Sequence, residues 1–199
     1  MTPPIDWTRI VRSASYYASI GYQQVEVPWA VERKFAMATC PEERFLIEST
    51  LGDLVGSAEQ GFIQQDHLGH LGKGKFQAIS PCFRHEDNLD RQHQNTFVKL
   101  ELYVNEGDLF KAMQDMAHSA RTVARGLVHE LTTGTGYILP TPVLIEVDGG
   151  LDLIMGGIEL GSFGVRSFEH ISWAFGTGHA EPRLSCTVND FMSQVNQNL

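Results

Sequence analysis

Phe83-Arg84-His85-Glu86 places an arginine and a glutamate two apart, directly after an apolar run. On an extended chain they share a face. Phe97, on a run that returns after a polar stretch, can share that face too. The planar fork of arginine suits bidentate hydrogen bonding to a phosphate, and an aromatic face can stack on a base. Together the three can hold a nucleotide. The same spacing also suits a solvent-facing Arg–Glu pair beside a core phenylalanine.

Three further stretches carry chemically useful side chains. Gly176-Thr177-Gly178-His179-Ala180-Glu181-Pro182-Arg183 leads into an expected helix. Its glycines would let backbone N–H groups approach an anion or a flat ring, and Arg183 supplies a fixed positive charge. An ordinary glycine turn reads the same way. Ile158-Glu159-Leu160-Gly161-Ser162-Phe163-Gly164-Val165-Arg166 offers Glu159 for a Mg2+ bridging phosphates, Ser162 for a small substrate and Arg166 for a terminal phosphate. A strand and turn with exposed polar residues is the plainer alternative. In Val55-Gly56-Ser57-Ala58-Glu59-Gln60-Gly61, Glu59 suits a substrate ammonium, or simply a helix N-terminus, where acids are favourable. Cys40, Cys82 and Cys186 are odd in number and widely spaced, so neither a disulfide framework nor a close zinc pair is expected. The eight histidines show no His-x-x-x-His cluster, although His85 and His179 fall inside these stretches and His93 in the polar segment before Phe97. No Gly-x-Ser-x-Gly elbow is present, which disfavours a hydrolase.

The elements that must position these groups can be read from periodicity. Residues 6–20 form a helix with Asp6 as N-cap and Gly21 at its end. Residues 22–27 alternate as a strand that Pro28 stops. Residues 43–51 and 58–69 read as partly helical. Residues 76–84 and 97–104 are strands joined by a polar loop, an antiparallel hairpin. Residues 107–131 carry the longest helical pattern, closed by Gly134 and Gly136. Strands follow near 142–148, 151–160 and 165–174, and a last helix covers 180–195. Strands grouped in hairpins, rather than alternating with helices, predict an α+β fold with a largely antiparallel sheet.

The 199 residues and a net charge of −9 bound the reading further. That length suits one domain over residues 1–199. No apolar run approaches the roughly 20 residues of a membrane span. Met1 to Asp6 has no basic or apolar leader, so a cytoplasmic protein is expected. The acidic balance argues against a protein that grips nucleic acid unaided.

Taken in order, the stretches resemble the catalytic core of class II aminoacyl-tRNA synthetases, most of all the seryl branch. There are echoes of aspartyl-tRNA synthetase and of ammonia-dependent asparagine synthetase. The helix and strand ending at Pro28 look like motif 1, the dimerisation element. Pro81 to Glu86, Arg91-Gln92-His93-Gln94 and Phe97-Val98-Lys99-Leu100-Glu101 are similar to motif 2. Gly176-x-Gly178 with Arg183 looks like motif 3. Ser57-Ala58-Glu59 resembles the loop that holds the substrate amino group in the seryl enzyme. Glu159 to Arg166 resembles a Glu-Leu-Ser-Ser-Met-Gly-Ile-Arg run of the asparagine synthetase.

The resemblance implies an antiparallel sheet flanked by helices in a homodimer, with ATP and Mg2+ at the site. An amino acid carboxylate would attack the α-phosphate. It implies that Arg84 contacts the α-phosphate and Glu86 the adenine or the amino group. Phe97 would stack on adenine, and Arg183 would cover the other face or meet the γ-phosphate. Glu159, with Mg2+, and Arg166 would sit at the phosphates. Glu59, Glu101 and Ser162 would contact the substrate amino acid or order its pocket. The short motif 2 loop, the negative charge and the lack of an expected tRNA-reading domain fit a stand-alone paralogue. Its acceptor would be a carrier protein, another protein, a small amine or a tRNA acceptor end. A non-catalytic regulatory paralogue and an amide-forming ligase are the alternatives.

Overall fold

The protein is described by a computed structural model covering residues 5–40, 42–86, 89–90, 94–135 and 137–197. Arg91, Gln92 and His93 of the expected motif 2, and Gly136, lie outside the described residues.

Helix α1 spans Trp7–Ser19. The Asp6 carboxylate accepts a hydrogen bond from the Arg9 N–H at 3.1 Å, as an N-cap does. Gly21 ends the turn at φ +95°, a conformation that glycine adopts without a Cβ clash. Of the expected strand, Gln23–Gln24 form β1, and the Val25 N–H also donates to Gln77 O at 3.0 Å. A short β2 at Ala30–Val31 and helix α2 at Arg33–Met37 follow. The 43–51 stretch is not helical beyond a 3-10 turn at Glu43–Phe45; it folds into β3 at Ile47–Ser49, pairing with β4 at Gly52–Leu54. These strands are too short for alternation to declare itself in sequence. Helix α3 is Ala58–His67.

Strands β5 (Lys75–Phe83) and β6 (Thr96–Val104) form the expected hairpin in full register, from Lys75↔Val104 to Phe83↔Thr96. Helix α4 runs Leu109–Thr132, capped by the Asp108 side chain on the Lys111 N–H at 3.0 Å. The expected strand 151–160 is two strands. Strand β8 (Gly150–Met155) turns at Gly156-Gly157, both at positive φ, into β9 (Ile158–Phe168). Before them lies β7 (Val143–Val147), and after them β10 (Ile171–Glu181) and helix α5 (Arg183–Gln197).

Seven strands form one sheet in the order β1-β5-β6-β10-β9-β8-β7; only the β1–β5 pair is parallel. Strands β2, β4 and β3 make a separate small sheet. The large sheet buries both faces. Against one face, α1, α4 and α5 pack through Tyr17, Met113, Met116, Ala120 and Leu184 onto Leu100, Leu102 and Val104 of β6. Against the other, α2 and α3 pack through Phe35, Phe62 and Ile63 onto Phe76, Tyr103 and Trp173. Period-two alternation along β6 divides it between these cores. The face toward α3 carries Phe97, Lys99, Glu101 and Tyr103 in turn.

The glycines expected to lead into a helix lie inside β10 instead. A Cβ on Gly176 would stand 2.3 Å from the Phe163 ring, and one on Gly178 would stand 2.9 Å from the Tyr17 ring. These glycines therefore admit core aromatic rings on the α4 side of the sheet. A bulge between Thr177 and His179 then resets the register against β6. Replacing Gly176 with alanine would force Phe163 out of its place. We expect a loss of about 1–3 kcal/mol of stability, read by urea denaturation.

Candidate active site

The face of the sheet toward α3 holds a cleft of about 410 Å³. Its floor is built around two buried carboxylates. Glu59 lies in the first turn of α3, whose N-cap Ser57 accepts from the Glu59 N–H at 3.3 Å. The Glu59 side chain is buried, and both its oxygens are claimed. Trp173 Nε1 donates to Oε1 at 2.7 Å, and Arg166 Nη1 donates to Oε2 at 2.7 Å. Burial pushes the Glu59 carboxyl above its ordinary value; the Arg166 charge and the two donated hydrogen bonds pull the other way, while Glu101 adds repulsion.

Glu101, on β6, is held differently. Ser57 Oγ lies 2.7 Å from each of its oxygens, and Lys99 Nζ lies 3.2 Å from Oε1. The Glu59 backbone N–H also points to Oε2, at 3.3 Å. One seryl side chain thus caps the helix and fixes the second carboxylate.

Arg166 is placed by stacking. Gly164 carries no Cβ, and one there would stand 2.7 Å from the Phe175 ring. The ring can therefore lie across β9, and the Arg166 guanidinium sits 4.0 Å from its centroid. The structure thus puts Arg166 beside Glu59, at the carboxylate end of the cleft. Ser162 lines the same cleft.

Arg84 lies two residues beyond Cys82 of β5. Its backbone N–H donates to Asn95 O at 3.0 Å. Its side chain runs over Gly56, where a Cβ would be 3.4 Å from Nε, and its guanidinium lies 5.4 Å from the Phe97 ring centroid. Arg84, Glu86 and Lys99 line both the main cleft and a narrow pocket beside it, which Phe97 and Arg183 complete. Arg183 Nη1 lies 3.4 Å from Glu159 Oε1.

The structure gathers Glu59, Arg84, Glu86, Glu101, Ser162 and Arg166 into the one cleft, and Phe97 and Arg183 into the adjoining pocket. Glu159 reaches the group through Arg183. Residues that the sequence reading passed over also stand here. Lys99 shares the alternation of Phe97 and Glu101, a signal already in the run. Trp173 and Phe175 gave none, because an aromatic on a strand reads as core. Asp152 of β8 pairs in register with Ser162. Burial raises its carboxyl above the ordinary range, and Glu159 raises it further.

Neither ATP nor Mg2+ is part of the structure, but the donor sets suit them. Two guanidinium groups and a ring border the pocket, which matches phosphates and a flat base. Asp152 and Glu159, close enough for the Glu159 charge to raise the Asp152 carboxyl, offer the oxygen ligands that Mg2+ takes. Cys82 is no candidate nucleophile: burial, with Glu101 nearby, pushes its thiol up to about 12. His179 is turned into the α1 side, with Ser13 Oγ 3.2 Å from Nδ1 and Glu181 Oε1 3.0 Å from Nε2. His85 is exposed.

No family model matches the sequence, and no curated protein matches it. Solved structures do match. Two structures of pyrrolysyl-tRNA synthetase from Desulfitobacterium hafniense superpose with a TM-score of 0.66 each, at 18% and 16% identity. The match covers 92% of this chain and 68% and 69% of those chains. The fold is that of a class II aminoacyl-tRNA synthetase catalytic domain: a large, mostly antiparallel sheet flanked by helices.

The state of Glu59 has a consequence for pH. Its carboxyl binds a proton more readily folded than unfolded, so folding is favoured more as pH falls from the raised value toward the ordinary 4.5. Glu59→Gln removes that slope. Urea denaturation between about pH 7.5 and pH 4.5 should therefore show the wild type gaining stability relative to Glu59→Gln on the acid side. A constant difference across the range would contradict the burial argument.

Proposed function

We propose that the protein activates an amino acid, or a similar carboxylate, with ATP to form an acyl-adenylate. An acceptor then receives the acyl group. The observation that carries this reading is the position of Arg84. Among the cationic residues it lines, with Lys99, both the carboxylate-floored cleft and the pocket bordered by Phe97 and Arg183. A substrate in the cleft and a nucleotide in the pocket would meet beside its guanidinium.

The chemistry needs no covalent protein nucleophile. An oxygen of the substrate carboxylate attacks the α-phosphorus, forming a C–O–P linkage. The bond from that phosphorus to the bridging oxygen breaks, and its electron pair leaves with pyrophosphate. Negative charge gathers on the α-phosphoryl oxygens, where Arg84 stabilises it. Phe97 and Arg183 orient the nucleotide, and the cleft fixes the carboxylate in line, so most of the acceleration comes from positioning. Glu101 and Glu59 favour a substrate that carries an ammonium group. Mg2+ held by Glu159 and Asp152 would neutralise phosphate charge. Glu86, which lines both the cleft and the pocket, accepts from the adenine amino group or from the substrate amine in this reading.

The fold supports a ligase of this general kind. The acceptor, among a carrier protein, another protein, a small amine and a tRNA acceptor end, is part of the proposal. So is a homodimer through α1 and the segment that leads from β1 to β2, where Trp7, Val11 and Trp29 are each more than half exposed. None of the described helices is long and apolar enough to cross a membrane.

The test is amino-acid-dependent ATP–pyrophosphate exchange with Mg2+, screened over the common amino acids. Exchange with one or a few of them is expected. It should fall about 100-fold or more in Arg84→Ala, since Arg84 acts on charge that develops in the transition state. Absence of both exchange and ATP binding by calorimetry would overturn the reading and leave a binding module on this fold. Exchange yielding an amide when ammonia is supplied would identify the amide-forming alternative.

A further inference from the structure

At the other end of α3, away from the cleft, three metal-ligating side chains converge. His67 is the last residue of α3, and Glu169 and His170 form the two-residue turn between β9 and β10. One potential ligand atom from each lies within 4.8 Å of the other two. His67 Nδ1 is 3.5 Å from Glu169 Oε2, and the His67 and His170 rings lie 4.7 Å apart, centroid to centroid. The activation chemistry uses none of them.

Three features of this cluster favour a ligand over a chance meeting of surface groups. The first is spacing. Ligands held about 2.0–2.1 Å from a tetrahedral zinc stand about 3.3–3.4 Å apart, close to the His67–Glu169 separation already present. The second is an orphaned atom. His67 Nδ1 is buried with no hydrogen-bond partner among the described residues. Phe35 and Phe168 pack around the ring, at 5.2 Å and 6.1 Å between centroids, and hold that nitrogen in place. A buried polar atom without a partner carries a free-energy penalty that a metal ion would remove. The third is the turn. Glu169 has φ +51°, a conformation that favours glycine or asparagine in a two-residue hairpin. The chain forgoes the easier residue and gains a carboxylate beside His67.

We propose that His67, Glu169 and His170 bind one borderline transition-metal cation, with Zn2+ the best fit to the donor set. Two imidazoles and a carboxylate suit Zn2+, whereas Mg2+ and Ca2+ prefer oxygen ligands throughout. Water completes the coordination. Glu169 and His170 are exposed, so the cation has a path in. The site ties the C-terminal end of α3 to the β9–β10 hairpin. The same two elements meet at the cleft, where Glu59 of α3 contacts Arg166 of β9 and Trp173 of β10. The cation therefore braces the cleft from behind and takes no part in its chemistry.

The test uses the full chain, stripped of metal by a chelator and titrated with Co2+ as a spectroscopic stand-in for Zn2+. One equivalent should bind with the visible bands of a low-coordinate site, and Zn2+ should displace it. His170→Ala should weaken binding about tenfold or more. Zn2+ should raise the thermal midpoint of the wild type and leave that of the variant unmoved. Glu169→Gly guards against a folding artefact. It relieves the positive φ, so its metal-free midpoint should equal or exceed that of the wild type while the zinc-dependent rise is lost. No cobalt spectrum, or equal binding by the wild type and both variants, would overturn the proposal.

Discussion

A buried carboxylate with two committed partners holds the functional face together. Removing an ionised glutamate from water is costly unless charge and hydrogen bonds replace the hydration. Glu59 meets that condition in part, with one neutral donor, Trp173, and one cation, Arg166, while burial still raises its carboxyl. The two donors come from different strands of one hairpin, and the acceptor comes from a helix. The requirement therefore fixes the docking of α3 on the sheet. A shift of α3 along its axis would leave the carboxylate unpaired. The aromatic layer beneath adds a second constraint. Phe62 stacks on Tyr103 at 4.9 Å, Tyr103 lies parallel to Trp173 at 6.0 Å, and the Tyr103 hydroxyl donates to Asp66 at 2.9 Å. Asp66 and Glu59 stand near opposite ends of α3, so the helix is pinned at both.

The cleft keeps its cations in check in the same manner. Lys99 lies against Glu101, Arg183 against Glu159 and Arg166 against Glu59. An arginine or lysine held by an acid is ordered before any ligand arrives, so less side-chain entropy remains to be lost on binding. The exposure of each pair sets how readily it can exchange partners. Arg183 and Glu159 are both partly solvated, so a phosphate can replace that carboxylate at little cost. Glu59 is almost wholly buried, and breaking its pair would strand a charge in the interior. Arg166 is therefore fixed at the Glu59 end of the cleft, whereas the Arg183–Glu159 pair is the one that can open. Among the described residues, the Arg84 guanidinium lies over the Phe97 ring, 5.4 Å from its centroid.

What was legible in sequence follows from how far each element's signal extends along the chain. The β5–β6 hairpin and α4 were plain, because nine-residue alternation and seven turns of helical period leave few alternatives. The 43–51 stretch, partly helical as expected at Glu43–Phe45, hid a short strand after it because three-residue strands carry no measurable period. The 151–160 strand concealed a hairpin because Gly156-Gly157 interrupts an otherwise apolar run. Gly176 and Gly178, expected to bring backbone N–H groups and a helix start to an anion or a flat ring, lie inside β10, where the approaching groups are the core rings of Phe163 and Tyr17. Of the site, the charged residues were legible through the order of their motifs. Trp173 and Phe175 were not, since an aromatic that holds a charged group and a core aromatic look alike on a strand. The His67–Glu169–His170 cluster was beyond reach, because a separation of about a hundred residues is closed only by the docking of α3.

That docking links the two ends of the helix. At its N-terminus α3 meets the β9–β10 hairpin through charge and an indole N–H; at its C-terminus it meets the turn of the same hairpin through His67. The first contact is satisfied within the protein. The second leaves an imidazole nitrogen without a hydrogen-bond partner among the described residues and a glutamate at positive φ. Packing alone explains neither, since an apolar residue at 67 and a glycine at 169 would remove both penalties. A group that coordinates all three side chains turns both into the conditions for binding, and it acts on the docking angle that positions Glu59. The two sites are thus separate in chemistry and joined in mechanics, by one short helix whose placement the cleft cannot do without.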